Sequence, residues 1–479
     1  MARSGVYPRG GGSDDTTHDA TDNATAMTPQ EAKATALREN QAGLEAIKSG
    51  RVEVALERFK RAAGLAPKIA ELHGNVGKAS LETGQAAVAV EAFRRAISLK
   101  GGVAEFHSHL GHALERVGDL EGAIAAAGEA ARLEPGSSKF HNNLGVFLHD
   151  IGRYDEALAE LRRAVEINPR EEWAHFTIGV IHLLRGDFQR GWSEFEWRLE
   201  CLPEAARKTF AQPGWKGEEL AGKTILLHAE QGLGDTLQFI RYVPLVAERG
   251  GRILLFCQRE LARLLQSFPG IQQVLTEEQP LPSFDAHCPL MTLPQVFRTT
   301  LESVPGHVPY IIPPLGAILP SSSASLRVGL AWAGQPAHRH DRSRSIALQQ
   351  LSPLAGIPNV HFFTLQKGPA AAQASNPPPG MAITDCLHLL TDMSQTASLI
   401  AQLDLVMTVD TSIAHLAGAM AKPVWVLLPF VPDWRWMLNR ADSPWYPTMR
   451  VFRQEKQGEW EGAIGAIASA LRELAEQKT

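Results

Sequence analysis

Four residue ladders with a common step constrain this chain more than any other feature. Stepping by 34 residues gives Gly43, Gly77, Gly111, Gly145 and Gly179. The same step gives Gly50, Gly84, Gly118, Gly152 and Gly186, then Ala55, Ala89, Ala123, Ala157 and Gly191, then Pro67, Gly101, Pro135, Pro169 and Pro203. A fixed period of this size marks stacked helix–turn–helix units, none of which can bury its apolar face alone. The first Gly and the Ala are small where the two helices of a unit cross. The second Gly ends the first helix, because a residue without Cβ readily takes the left-handed conformation of a helix stop. Pro ends the second helix, which it cannot continue. Phe59, Phe93, Leu161 and Phe195 fill the gaps between units. In the fifth unit Gly191 replaces Ala, and Trp192, Phe195 and Trp197 add bulk. That predicts a capping unit docked onto the domain that follows.

The period is that of the tetratricopeptide repeat (TPR). An α-helical TPR solenoid of five repeats is therefore expected over residues 31–205. It follows a tail, residues 1–30, whose Gly, Ser, Asp, Thr and Ala content predicts disorder. The sixth position of each repeat reads Gln41, Asn75, His109, Asn143 and Thr177, on the helix that lines the concave face of such arrays. One reading is a solvated polar face. The other is a ladder of side chains that hydrogen-bonds the backbone of an extended peptide. It resembles the asparagine ladder in the TPR region of O-linked N-acetylglucosamine transferases, with only Asn75 and Asn143 matching strictly.

After Pro203 the texture changes. Thr224–His228, Arg252–Phe256 and Gln272–Leu275 read as short apolar strands, with helical patterns between them. A Pro- and Ser-rich stretch, 304–325, reads as a linker between an acceptor domain at 206–303 and a donor-binding domain at 326–479. The second series of strands is Arg327–Trp332, Val360–Leu365, Leu405–Val409 and Val424–Leu428. Two Rossmann-like α/β domains in tandem form the GT-B architecture, whose ligands sit beyond the carboxyl ends of the strands.

Three segments fall at such ends. Gly232-Leu233-Gly234-Asp235 follows the first strand, with glycines that keep a helix N-terminus open to a ligand. Asp235 is either a helix cap or a site residue. Trp332–Ile346 holds His338, Arg339, His340, Asp341, Arg342 and Arg344, and Arg342 and Arg344 suit a diphosphate. The clustered His338, His340 and Asp341 lack a distant fourth ligand, so no metal site is expected. Asp410-Thr411-Ser412-Ile413-Ala414-His415 starts a helix whose positive end would favour a phosphate, with His415 one turn on. Gln366-Lys367-Gly368 is either a surface turn or a further cationic contact, through Lys367.

The GLGD and DTSIAH segments, in this order, resemble glycosyltransferase family 9, the ADP-heptose:lipopolysaccharide heptosyltransferase group, over about residues 220–455. Pro432-Asp433-Trp434-Arg435-Trp436 and the repeats look like a TPR-fused bacterial branch of it. The resemblance implies metal-independent, inverting transfer from a nucleotide-diphosphate sugar, without a cofactor. Asp235 would then be the catalytic base, with Asp410, Thr411, Ser412 and His415 on the donor side. Lipopolysaccharide heptosyltransferases place a lysine where this chain offers Arg342 and Arg344, and they lack the repeats. Donor and acceptor are therefore open, a protein or peptide acceptor being favoured by the array. The competing expectation is a TPR scaffold in which the transferase fold no longer turns over.

Composition narrows the field. A net charge of -5 excludes a nucleic-acid coat. Cys201, Cys257, Cys288 and Cys386 have no metal or redox spacing and read as reduced thiols. Nothing resembles a secretory signal, and no apolar run nears the roughly 20 residues of a membrane span, so a cytoplasmic location is expected.

Overall fold

The computed structural model describes residues 27–202 and 207–478, so most of the expected tail and Pro203 lie outside the described residues. The fold class is the one expected: helical TPR repeats followed by a parallel-sheet α/β region. The repeat helices are α1 (Pro29–Lys48), α2 (Val52–Leu65), α3 (Ala70–Glu82), α4 (Ala86–Leu99), α5 (Ala104–Val117), α6 (Leu120–Leu133), α7 (Ser138–Asp150), α8 (Tyr154–Ile167), α9 (Glu172–Leu184) and α10 (Phe188–Phe195). Helix α1 opens on a capping box, in which Thr28 and Glu31 satisfy each other's backbone N–H and Pro29 takes the first turn. The turn glycines Gly50, Gly84, Gly118, Gly152 and Gly186 all lie at φ between +71° and +92°, where a Cβ would be strained.

The chain divides into two compact units, one ending at Val117 and the other running from Gly118. In the first, the rings of Phe59 and Phe93 press on Gly43 and Gly77, leaving 2.5 and 2.6 Å to an added Cβ. In the second, Gly145 meets Leu161, and Gly179 meets backbone: an added Cβ would lie 2.5 Å from the Phe195 nitrogen. A side chain can turn aside but a helix backbone cannot. Gly179→Ala is therefore expected to destabilise the chain by about 1–3 kcal/mol, more than Gly43→Ala, measured by chemical unfolding.

The fifth repeat docks as its bulk suggested. The Trp192 indole donates to the Thr299 carbonyl at 2.8 Å, and Trp192 and Phe195 pack edge-on to Trp434. Trp197 stacks on His175 at 4.3 Å.

The α/β region holds two parallel sheets. Strands β1 (Thr224–His228), β2 (Arg252–Phe256), β3 (Ile271–Leu275) and β4 (Ala286–Pro289) lie in the order β3-β2-β1-β4. Strands β5 (Leu326–Ala331), β6 (Val360–Thr364), β7 (Ile383–Thr384), β8 (Leu405–Val409), β9 (Val424–Leu428) and β10 (Met449–Arg453) lie in the order β10-β9-β8-β5-β6-β7. Both orders reverse once, between β1 and β4 and between β5 and β8. In doubly wound sheets that reversal opens a crevice at the carboxyl ends. Strand β8 is buried along its whole length, which matches a sequence apolar but for Thr408, whose hydroxyl is hydrogen-bonded to the Val409 carbonyl. Residues 304–325 form no helix or strand; Tyr310 and Ile311 are tied to the Ala419 carbonyl.

Candidate functional site

A cavity of about 820 Å³ lies between the carboxyl ends of the two sheets. Its first wall is Gln231–Asp235, the segment after β1. Gly232 caps the helix Leu233–Phe239, and Asp235 Oδ2 accepts the Gly232 N–H at 2.8 Å. The capping carboxylate also lines the cavity. Its other oxygen accepts a hydrogen bond from Arg435. Burial pushes the Asp235 carboxyl above its usual range, against the pull of Arg435.

The second wall begins at the end of β8. Thr411 caps the helix Ser412–Ala419 and accepts the Ile413 N–H at 3.3 Å, so the helix opens onto the cavity. His415, 5% exposed, bonds Tyr446 Oη through Nδ1 at 2.9 Å and stacks on Trp436. Burial, then the charge of Arg435, pushes it down to about 3, so it is neutral at physiological pH. The other edge of its ring lies against Gly234, where an added Cβ would come within 2.8 Å of His415 Cδ2. The two motifs therefore pack on each other. Gly234→Ala is expected to part the walls at a cost of about 1–3 kcal/mol and to loosen whatever the cavity binds, measured by unfolding and ligand titration.

Asp410 closes the second wall. Burial, then repulsion by Asp433, pushes its carboxyl up to about 6 from the ordinary 3.8, against Arg344, Trp436 and Arg435. The folded state thus holds this proton more tightly than the unfolded chain, and the stability it brings is lost as pH rises through that window. Asp410→Asn is expected to melt above the parent at about pH 8, with the gap closing by about pH 4, measured by thermal melts across that range.

The segment after β9 supplies the cation at the centre. Arg435 Nη1 donates to both oxygens of Asp433, at 2.9 and 3.0 Å, and Nη2 to Asp235, with the side chain 8% exposed. Sequence reasoning noted this Asp-Trp-Arg-Trp string only as a family likeness. Its position just past a strand's carboxyl end was the available signal. Gln366 was likewise noted without a role: its Oε1 accepts the Trp332 and Ala333 N–H groups at 2.9 and 2.8 Å, fixing the loop after β5.

That loop separates its two arginines. In the one-turn helix Asp341–Arg344, Arg344 lines the cavity beside Asp341, whereas Arg342 is exposed and is not among the lining residues. Arg342 is thereby corrected from a wall residue to an outward one, because positions two apart on a helix point in different directions. Lys367 lines the cavity, but its Nζ donates to the Leu390 carbonyl at 2.7 Å. Among the described residues no group of three or more His, Cys, Asp or Glu is placed to hold a metal ion.

The expected peptide ladder is uneven. Gln41 is exposed and donates to Glu45; Asn75 donates to Asn40 at 2.8 Å; His109 stacks on Phe93 at 5.5 Å. Asn143 is buried at 8% exposure and Thr177 at 7%, the Thr177 hydroxyl donating to the Trp173 carbonyl. These last two are corrected from open-face to buried positions, the Thr177 hydroxyl being turned back onto its own helix.

Residues 40–104 and 109–172 match the model of the tetratricopeptide repeat, and 359–428 match glycosyltransferase family 9 (heptosyltransferase). A relative, Protein FlbA of Caulobacter vibrioides, is 28% identical over 327 residues, 62% of this chain. The match spans 54% of that relative's length. Among solved structures, MamA of Desulfovibrio magneticus superposes with a TM-score of 0.31 at 17% identity, over 35% of this chain and 92% of MamA. YrrB, described as a TPR protein with an unusual peptide-binding site, gives 0.31 at 18% identity, over 36% of this chain and 90% of YrrB. The chain carries both tetratricopeptide repeats and a glycosyltransferase family 9 domain.

Proposed function

We propose that this chain transfers a sugar from a nucleotide-diphosphate donor to an acceptor recruited by the repeats, a protein or peptide. The observation that carries the reading is that Asp235 and the N-terminus of the helix Ser412–Ala419 line one cavity. In this reading Asp235 takes the proton from the attacking acceptor hydroxyl, help worth roughly 10²–10⁴-fold. The Thr411 and Ser412 amides and Arg344 hold the leaving diphosphate, fixed donors aimed at developing charge. A single base beside the diphosphate site suits one displacement, hence inversion, and the donor-side cations let the reaction run without a metal. The two tandem sheets with the cavity between them are read as a GT-B pair.

The test is a thermal-shift screen of the full chain against ADP, GDP, UDP and their sugars, with Asp410→Ala and Arg344→Ala alongside. A ligand at a hundred times its Kd stabilises the native state by about 2.7 kcal/mol. A shift with one nucleotide, lost in both variants, is expected. Folded protein that shifts with none of them overturns the reading and leaves the non-catalytic scaffold.

A further inference from the structure

The turns inside the last two repeats make contacts that the array itself does not need. At the end of α7, Asp150 Oδ2 accepts from Arg339 Nη2 at 2.9 Å, and its other oxygen is held by His149 Nδ1 at 3.0 Å. The Asp150 side chain is 9% exposed and that of Arg339 49%. Two residues on, Gly152 faces Phe430 and Val431, with 3.4 Å from an added Cβ to the Phe430 ring. One repeat later, Gly186 faces Met437, whose Cε would lie 2.8 Å from an added Cβ, and the Leu438 N–H donates to the Leu184 carbonyl at 3.2 Å. The partners of these turns are two cavity-bearing segments. One runs past β9 and carries Asp433 and Arg435; the other runs past β5 and carries His338 and Arg344.

We propose that the fourth and fifth repeats are part of the cavity's scaffold, and that Asp150 is a positioning residue that holds the His338–Arg344 wall through Arg339. The loop needs such a hold, since between β5 and Ile346 its regular structure is a single helical turn. Breaking this hold costs more than breaking a surface ion pair, because a buried carboxylate would be left without its cation. The hydrogen bond from His149 and the charge of Arg339 hold that carboxyl below its ordinary range in spite of its burial. The repeats thereby set the shape of the site as well as whatever they recruit, and anything that moves α7 moves the wall.

The proposal concerns the wall itself; only its effect on nucleotide rests on the reading of the cavity given above. Asp150→Asn, Arg339→Gln and the double variant are compared with the parent, all as full chains. Hydrogen exchange across 335–344 and the affinity for the nucleoside diphosphate found in the screen are measured. Exchange across 335–344 is expected to quicken in both single variants, and affinity to fall by about fivefold or more. The double variant is expected to be no worse than either single, since the pair acts as one link. Arg339 is half-exposed, so Arg339→Gln reports on the wall even if Asp150→Asn unfolds. A merely structural contact would lower the melting temperature and leave exchange at 335–344 as in the parent; that result in Arg339→Gln overturns the proposal. If the parent binds no nucleoside diphosphate, the reading of the cavity fails, and exchange alone still decides the wall.

Discussion

Replacing Asp235 by asparagine is expected to lower sugar transfer by roughly 10²–10⁴-fold while the variant stays folded and still binds a nucleoside diphosphate. The amide keeps the size of the carboxylate, and its carbonyl can still accept the Gly232 N–H that starts the helix. Arg435 keeps both bonds to Asp433, so no cation is stranded. What is lost is a group able to take a proton. Burial has already raised that carboxyl, which brings a base nearer the pH at which it must work. Turnover and nucleotide affinity would be measured on the same sample. Transfer within about threefold of the parent would remove Asp235 from the chemistry, since general-base help is worth far more than that.

The largest effect on stability is expected from Arg435→Met. The methionine fills similar space but leaves Asp433 and Asp235 without their cation, and Asp410 with less positive charge nearby. Stranding buried carboxylates in this way costs about 3–5 kcal/mol. The loss must also depend on pH. Without Arg435 these carboxyls titrate higher in the folded state, so acid neutralises them and restores part of the stability. Urea unfolding should therefore show a larger deficit at about pH 8 than at about pH 5, and Asp433→Asn in the same chain should recover part of it. A deficit under about 1 kcal/mol at both pH values would mean that water reaches and screens the cluster.

Regular periodicity and local chemistry were legible in the sequence; encounters between distant segments were not. The turn glycines, the helix stops and the apolar strands β1, β2, β8 and β9 follow from neighbours a few residues away, and their bounds agree with the structure. Strand β10 was missed because Arg450 and Arg453 break Met449–Arg453 into neither an apolar run nor a strict alternation, and β7 because two residues carry no period. The pairing of Asp235 with Arg435 spans 200 positions, so nothing local marks it. The same is true of Gly234, which is small because His415 lies against it. Arg342 and Arg344 looked equivalent as a basic run; the one-turn helix alone tells them apart.

Repeat arrays readily gain and lose copies, because one unit can stack on another wherever it falls in the row. That freedom ends where a turn is matched to something outside the array. An added Cβ at Gly50, Gly84 or Gly118 meets nothing within 4 Å, whereas Gly152 and Gly186 abut Phe430 and Met437. Duplications or deletions upstream of α7 leave the walls of the cavity in register. A copy inserted between α7 and α10 would present the wrong turns to the segments past β5 and β9 at once. The row thus has an end where inheritance is free to count and an end where the count is fixed, and length variation among chains of this design should accumulate only at the first.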